Sequence, residues 1–334
     1  MVDRISPNSE AENPNDFQRG RPSCQFARQV VAASQRIAHG GFTMIDLLVV
    51  IATTGLLLVI VLPTLAFSKG RPQVAQCLSN HNQMVRACAM YTSDYRELYP
   101  PNPDGGGTPG YDWIAGNAEG WAALSAGGSS EAGDATYLTN SEYCVLAPYL
   151  GHSAVPFKCP ADWRVCKQAG KIVPVVRSVS ANAGVGTVDS GFLSSGGESD
   201  SGPPVLPVPG AWLTGNHSES YSVYATFGKT TSFKNCRPSE IWIYADEDPL
   251  SINDGCLNVT AKYPQVLDWP STRHQNAACF AFCDGHSELH KWQSNAFVIN
   301  AYAAVKTIPP GVGTNDWFWF AWHATRSFTT GTVP

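Results

Sequence analysis

Acidic side chains gather where the strand patterns end. Asp246, Glu247 and Asp248 follow the β-branched and aromatic run 241–245, Asn253 and Asp254 stand in the next turn, and Asp284 precedes a glycine. Hard oxygen donors in loops suit calcium, so Asp246, Asp248 and Asp284 are candidate calcium ligands. The spacing is not that of an EF-hand, because Leu250 stands where a third side-chain ligand belongs; turn-forming acids without an ion are the plainer reading. Cys279, Cys283, His286 and His290 have the identities of zinc ligands. On an extended strand, however, residues 279 and 283 lie roughly 13 Å apart, too far for one tetrahedral ion. Gly228-Lys229-Thr230 matches the tail of a phosphate loop, but Val223 occupies the place of its first glycine. Neither a G-x-S-x-G elbow nor an H-E-x-x-H pair occurs, so no catalytic centre is specified and the chain is expected not to be an enzyme. Trp317, Phe318, Trp319, Phe320 and Trp322 can stack on sugar or dock into the protein's own core, docking being the more ordinary use. His274 is expected to hydrogen-bond a backbone group beside the last hairpin.

These groups need strands and a helix to position them. Residues 221–225 alternate and 241–245 form a β-branched and aromatic run. The clearest hairpin runs from Ala277 to Trp292 about Asp284-Gly285, taken as a two-residue turn. That register puts Phe280, Phe282 and Leu289 on one face, and Cys279, Cys283, His286, Glu288 and His290 on the other. Upstream, Val74, Cys77, Leu78, His81, Val85, Cys88 and Ala89 recur at helical spacing and require a surface to pack on. Tyr99-Pro100-Pro101 ends that helix. Residues 100–220 read as irregular, with a short helix near 141–150 and a Gly/Ser/Pro-rich surface loop over 184–210.

Among 334 residues there are 30 glycines and 24 prolines, with 11% aromatics, a composition of loop-rich β-containing domains. The net charge of -5 argues against a broad nucleic-acid-binding surface. Of ten cysteines only Cys24 precedes residue 42. The remaining nine suit an oxidising compartment, and an odd number leaves at least one thiol free or paired between chains. Buried free thiols acting as small hydrophobes are the alternative.

From Phe42 to Leu62 the chain is apolar, and Asp46 is its only charged residue. At about 1.5 Å per residue this run matches a hydrocarbon core of roughly 30 Å, and a carboxylate inside it calls for a partner. A helix N-terminus favours such a charge. In a bundle of copies, Asp46 can also pair with a neighbour's free α-amino group and set the stagger between subunits. Arg28 and Arg36 before the run are balanced by Lys69 and Arg71 after it, so charge does not orient it.

Gly40-Gly-Phe-Thr-Met-Ile-Asp-Leu-Leu-Val-Val-Ile-Ala52 closely resembles the signature of type IV prepilins and of type II secretion pseudopilins. Their usual Glu is replaced by Asp46. The resemblance implies cleavage by prepilin peptidase between Gly41 and Phe42, N-methylation of Phe42, and assembly steered by Asp46. Gly55 and Pro63 fall where many pilins carry the same residues and would let the helix loosen. His274, nine residues and Asp284-Gly285 match the H-x9-DG element of a prepilin-like subgroup, and the segments 157–162 and 245–249 look like further pieces of it. Calcium in a C-terminal loop of major pseudopilins lends the acidic site some support.

The implied organisation is a cytoplasmic leader (1–41), a transmembrane and filament-core helix (42–63), its amphipathic continuation (64–98) and a periplasmic domain (99–334). The expected fold is α+β and pilin-like: a long N-terminal transmembrane/amphipathic helix packed on an antiparallel sheet, with loop-rich insertions. The implied function is that of a structural subunit, single-pass in the inner membrane. Its implied partners are the peptidase, other pilin subunits, an inner-membrane assembly platform and membrane lipid, with no nucleic acid. A membrane-tethered periplasmic binding protein, using the tryptophan-rich segment for carbohydrate, is the alternative.

Overall fold

The computed structural model of the protein describes residues 43–68, 70–103, 112–120, 129–189, 205–210, 212–215, 223–300 and 306–327. The chain divides into two units, Met1–Leu58 and Val59–Pro334. The apolar run folds as helix α1 (Met44–Ser68), and the amphipathic stretch folds as α2 (Gly70–Asp94). Pro63 lies within α1 and Pro72 in the first turn of α2. Gly41, Phe42 and the rest of the leader lie outside the described residues.

The expected membrane span is not borne out. Among the described residues, no helix is long and apolar enough to cross a membrane. The apolar character of α1 is not continuous. Asp46, Thr53 and Thr54 interrupt it, and both threonine hydroxyls donate back to helix carbonyls of Val49 and Val50. The transmembrane helix and the single-pass inner-membrane location are therefore set aside.

From residue 59 onward the fold is α+β, and its sheet is mixed rather than antiparallel. The order is β10 (Ser287–Lys291), β9 (Ala277–Phe282), β6 (Trp242–Asp246), β3 (Val179–Asn182), β7 (Cys256–Leu257). The first three pairings are antiparallel and β3/β7 is parallel. Three two-stranded ribbons stand apart: β1 (Val165–Gln168) with β2 (Lys171–Pro174), β4 (Thr187–Asp189) with β5 (Val205–Pro207), and β8 (Gln265–Val266) with β11 (Lys306–Thr307). The expected 184–210 loop is thus bounded by a paired ribbon. The expected helix near 141–150 is a short 3₁₀ turn at Pro148–Leu150.

Both faces of the sheet are covered. On one, α2 lays down Cys77, His81, Met84, Val85, Cys88 and Tyr91, all buried and on one helical face. Met84, Val85 and Cys88 share a core with Ala181, Ile243, Tyr244 and Ala281. On the other, α4 (Val312–Trp322) packs Trp317 and Phe320 against Trp242, Ala278, Phe280 and Phe282; a further helix, α3, is the single turn Thr136–Thr139. β9 therefore alternates, sending Ala278, Phe280 and Phe282 toward α4 and Cys279 and Ala281 the other way.

The hairpin turn is one residue longer than expected. Ala281 pairs with Ser287 and Cys279 with Leu289, while Phe282 N–H donates to His286 O at 2.9 Å. Cys283, Asp284 and Gly285 form the loop, with Gly285 at φ +101°. One step of register turns every side chain of β10 to the opposite face. Leu289 thus joins Cys279, and His290 joins Phe280, where it stacks on Trp319 at 3.4 Å between ring centroids.

Candidate functional site

A buried group of chemically active side chains sits where α2 meets the ends of β6 and β9. Cys77 comes from the first third of α2, where helical spacing carries it to the sheet. Asp246 is the last residue of β6, and Cys279 points to the α2 face because β9 sends its odd-numbered residues there. His274 stands in the turn before β9, which two left-handed residues, Gln275 and Asn276, bend back toward the strand. Cys159 follows the 3₁₀ turn Val155–Phe157 and is anchored by its N–H donating to Ser178 Oγ at 2.6 Å. One donor atom each from Cys77, Asp246, His274 and Cys279 lies within 4.8 Å of all the others, and all four residues are buried. Cys77 Sγ is 2.9 Å from Asp246 Oδ2, and His274 Nε2 is 3.8 Å from the same oxygen. Cys159 Sγ borders the group at 3.2 Å from His274 Nε2.

The electrostatics are those of an acid and thiols held out of water. A hydrogen bond from Cys159 pulls the Cys77 thiol down, but Cys279, burial and the Asp246 charge together push it well above the ordinary range. Contact with Cys77 and then burial push Cys159 up. Its bond to Cys77 pulls Cys279 down, but burial and the Asp246 and Cys159 charges together leave it above its ordinary value. Burial disfavours the His274 cation, yet the Cys159 contact and the Asp246 charge outweigh it and raise the imidazole. Asp246 Oδ1 has no hydrogen-bond partner among the described residues; Arg273 Nη2 stands 3.7 Å away. Arg273 Nη1 also faces Asp162 Oδ2 at 3.6 Å, and Asp162 binds Arg164 through the same oxygen at 2.7 Å. Asp162 feels burial pushing it up, but Arg273 and Arg164 hold it at about 2.

Of the expected calcium ligands, the structure places Asp246 in this cluster and leaves Asp248 and Asp284 out of it. Asp248 Oδ1 accepts the N–H of Leu250 at 2.9 Å, closing the turn that follows β6. Asp284 sits half-exposed in the hairpin loop beside His286. Glu247 is buried and accepts hydroxyls from Ser180 and Ser251. Burial and then the Asp268 charge push it well above the usual carboxylate range. Cys283, His286 and His290 likewise stay outside the cluster that Cys279 joins. His274 partners a thiol and a carboxylate rather than a backbone group through its side chain.

Asp46 has a local partner. Its carboxylate accepts the backbone N–H of Thr43 at 2.9 Å and the Thr43 hydroxyl at 2.7 Å, while Thr43 Oγ1 accepts the Asp46 N–H at 3.2 Å. This reciprocal cap satisfies orphan donors at the start of α1, and the two bonds to Thr43 hold the Asp46 carboxyl below its ordinary value. Gly55 meets open space. In α4, Trp317 and Phe320 are buried, Trp319 stacks on His290, and Trp322 lies under the Arg326 guanidinium at 3.7 Å. Of the five rings, Phe318 is the exposed one, at 41%. No protein-family model, curated protein or solved structure matches the chain.

Cys77 lies in the helical stripe, Cys159 in the segment 157–162 noted for its resemblance, and Asp246 among the strand-end acids. No spacing joined them, because the cluster spans residues 77 to 279. Of the segments singled out for their resemblance, 245–249 supplies Asp246, 157–162 supplies the bordering Cys159, and His274 opens the third.

Proposed function

We propose that the chain is a structural subunit of a bacterial type IV filament or type II secretion system. Prepilin peptidase cuts it between Gly41 and Phe42, Phe42 is methylated, and subunits polymerise through α1. The observation that supports this best is the surface of α1, where Met44 is 82% exposed, Ile45 73%, Leu48 69% and Val59 70%. Apolar side chains on all sides of a helix must be covered by something. Copies of the same helix cover them in a bundle, and the capped start at Thr43 and Asp46 makes that helix begin directly after the proposed cut. The signature around Gly41 and Phe42 supplies the rest of the reading.

Co-expression with and without prepilin peptidase, followed by intact-mass measurement, tests it. The expected product has lost residues 1–41 and gained one methyl group at Phe42. A chain that keeps its leader in the presence of active peptidase refutes the reading. The role of Asp46 separates from its cap by comparing two variants. Thr43→Ala removes the hydroxyl that Asp46 binds, at about 1 kcal/mol of local helix stability, and is expected to assemble. Asp46→Ala removes the charge and is expected to be cut but not assembled; filaments from Asp46→Ala would remove the charge from the mechanism.

A further inference from the structure

We infer that Cys77, Asp246, His274 and Cys279 bind one borderline-soft divalent metal ion, of which zinc fits best, and that the ion clamps α2 to the ends of β6 and β9. The four donors come from four separate parts of the chain, yet one atom of each lies within 4.8 Å of all the rest. Around a tetrahedral zinc with bonds of about 2.0–2.3 Å, neighbouring ligand atoms stand roughly 3.3–3.8 Å apart. The pairs at 2.9 and 3.8 Å bracket that range, so small rotamer adjustments close the shell. Thiolate and imidazole donors select zinc over calcium, which takes six or more oxygens.

Simple packing of thiols as small hydrophobes does not account for the arrangement. Such packing leaves no reason for a fully buried carboxylate 2.9 Å from a sulfur, a short approach for a weak S–H donor. Nor does it explain the carboxylate's second oxygen, which no hydrogen bond satisfies among the described residues. A divalent cation supplies both reasons. It deprotonates the thiols that coordinate it, and it makes Asp246 a ligand rather than a stranded acid. Two thiolates, one carboxylate and a neutral imidazole around Zn²⁺ carry a net charge of about -1, and Arg273 stands beside Asp246 to offset it. With every ligand buried, the shell is closed, as in structural rather than catalytic sites. Cys159 borders the site beside His274. This site lies wholly within residues 59–334 and does not depend on filament assembly.

Cobalt(II) titration of the reduced, chelator-treated full chain tests the inference. The expected result is one equivalent bound, with the absorption bands of tetrahedral cobalt and thiolate charge transfer, displaced by zinc, and a rise in melting temperature on zinc addition. Cys279→Ser and His274→Ala are each expected to weaken zinc binding about 100-fold or more, since even outer-shell changes cost 10–100-fold. Cys88→Ser and Cys144→Ser, at buried thiols outside the cluster, leave it unchanged. Folded, reduced wild-type chain that takes up no cobalt overturns the inference without recourse to any variant. So does a native disulfide joining Cys77 to Cys159 or Cys279, or full-strength binding by both ligand variants.

Discussion

Asp162→Ala is expected to destabilise the protein by about 3–5 kcal/mol, because it strands two buried guanidinium groups. Arg164 is 1% exposed and gives Asp162 three side-chain hydrogen bonds, two from Nε and one from Nη2. Its other donors go to the carbonyls of Ala118 and Arg177, so it has no route to water when the carboxylate is removed. Arg273 would keep only Asp246 as a nearby counter-charge. For a domain of this size the loss corresponds to a fall in melting temperature on the order of 10 °C. Adding Arg164→Met to Asp162→Ala should recover part of it, because the stranded charge is then gone. A loss below about 1 kcal/mol would mean the pair behaves like an exposed one.

The same ion pair fixes a pH dependence. Asp162 has a folded pKa of about 2 against an ordinary 3.8, so the folded state binds fewer protons over that interval. The depressed carboxyl therefore stabilises the protein fully above about pH 4, and this contribution, about 2 kcal/mol, disappears as the pH falls through 2. Urea unfolding between pH 2 and 5 should show this slope in wild type and lack it in Asp162→Ala. An identical acid limb in both proteins would assign acid sensitivity to other carboxylates.

Trp242→Ala is expected to cost a further class of stability, about 3–5 kcal/mol from lost burial and the cavity left behind. Trp242 is fully buried at the centre of the α4 face. Its ring stacks on Phe320 at 5.4 Å with planes 7° apart and meets Phe280 edge-on at 5.7 Å. Its indole N–H donates to Phe320 O at 3.3 Å. Because these contacts tie α4 to β6, hydrogen exchange in α4 should accelerate more than exchange in α2. Trp242→Phe keeps the stacking surface and should lose less than half as much. Equal acceleration on both sides of the sheet would show that the two cores unfold as one unit.

Periodicity made much of the domain legible. The stripe from Cys77 to Cys88 has the 3.6-residue repeat of a helix that must lie on something, and α2 lies on the sheet. Residues 241–245 and 277–292 carried strand signals strong enough to locate β6 and the β9/β10 hairpin. What periodicity left open was the turn length. Asp284-Gly285 fits a two-residue turn and equally the end of a three-residue loop, and only the pairing of Cys279 with Leu289 decides between them. That single residue moved His290 from the thiol face to the aromatic face, where Trp319 covers it. The parallel β3/β7 pair was also hidden, since β7 is two residues long and carries no pattern of its own.

The chain's order of residues by itself determined where α1, α2, β6, β9 and β10 form, because helix and strand periods are local properties of neighbouring side chains; β3, inside the stretch read as irregular, and α4 were not read from it. It also placed the apolar N-terminal run and the acid that caps it. The tertiary structure alone decided which thiols, imidazole and carboxylate meet. Donors drawn from residues 77, 246, 274 and 279 converge through helix-on-sheet packing and strand register, and such long-range coincidences leave no spacing to read along the chain.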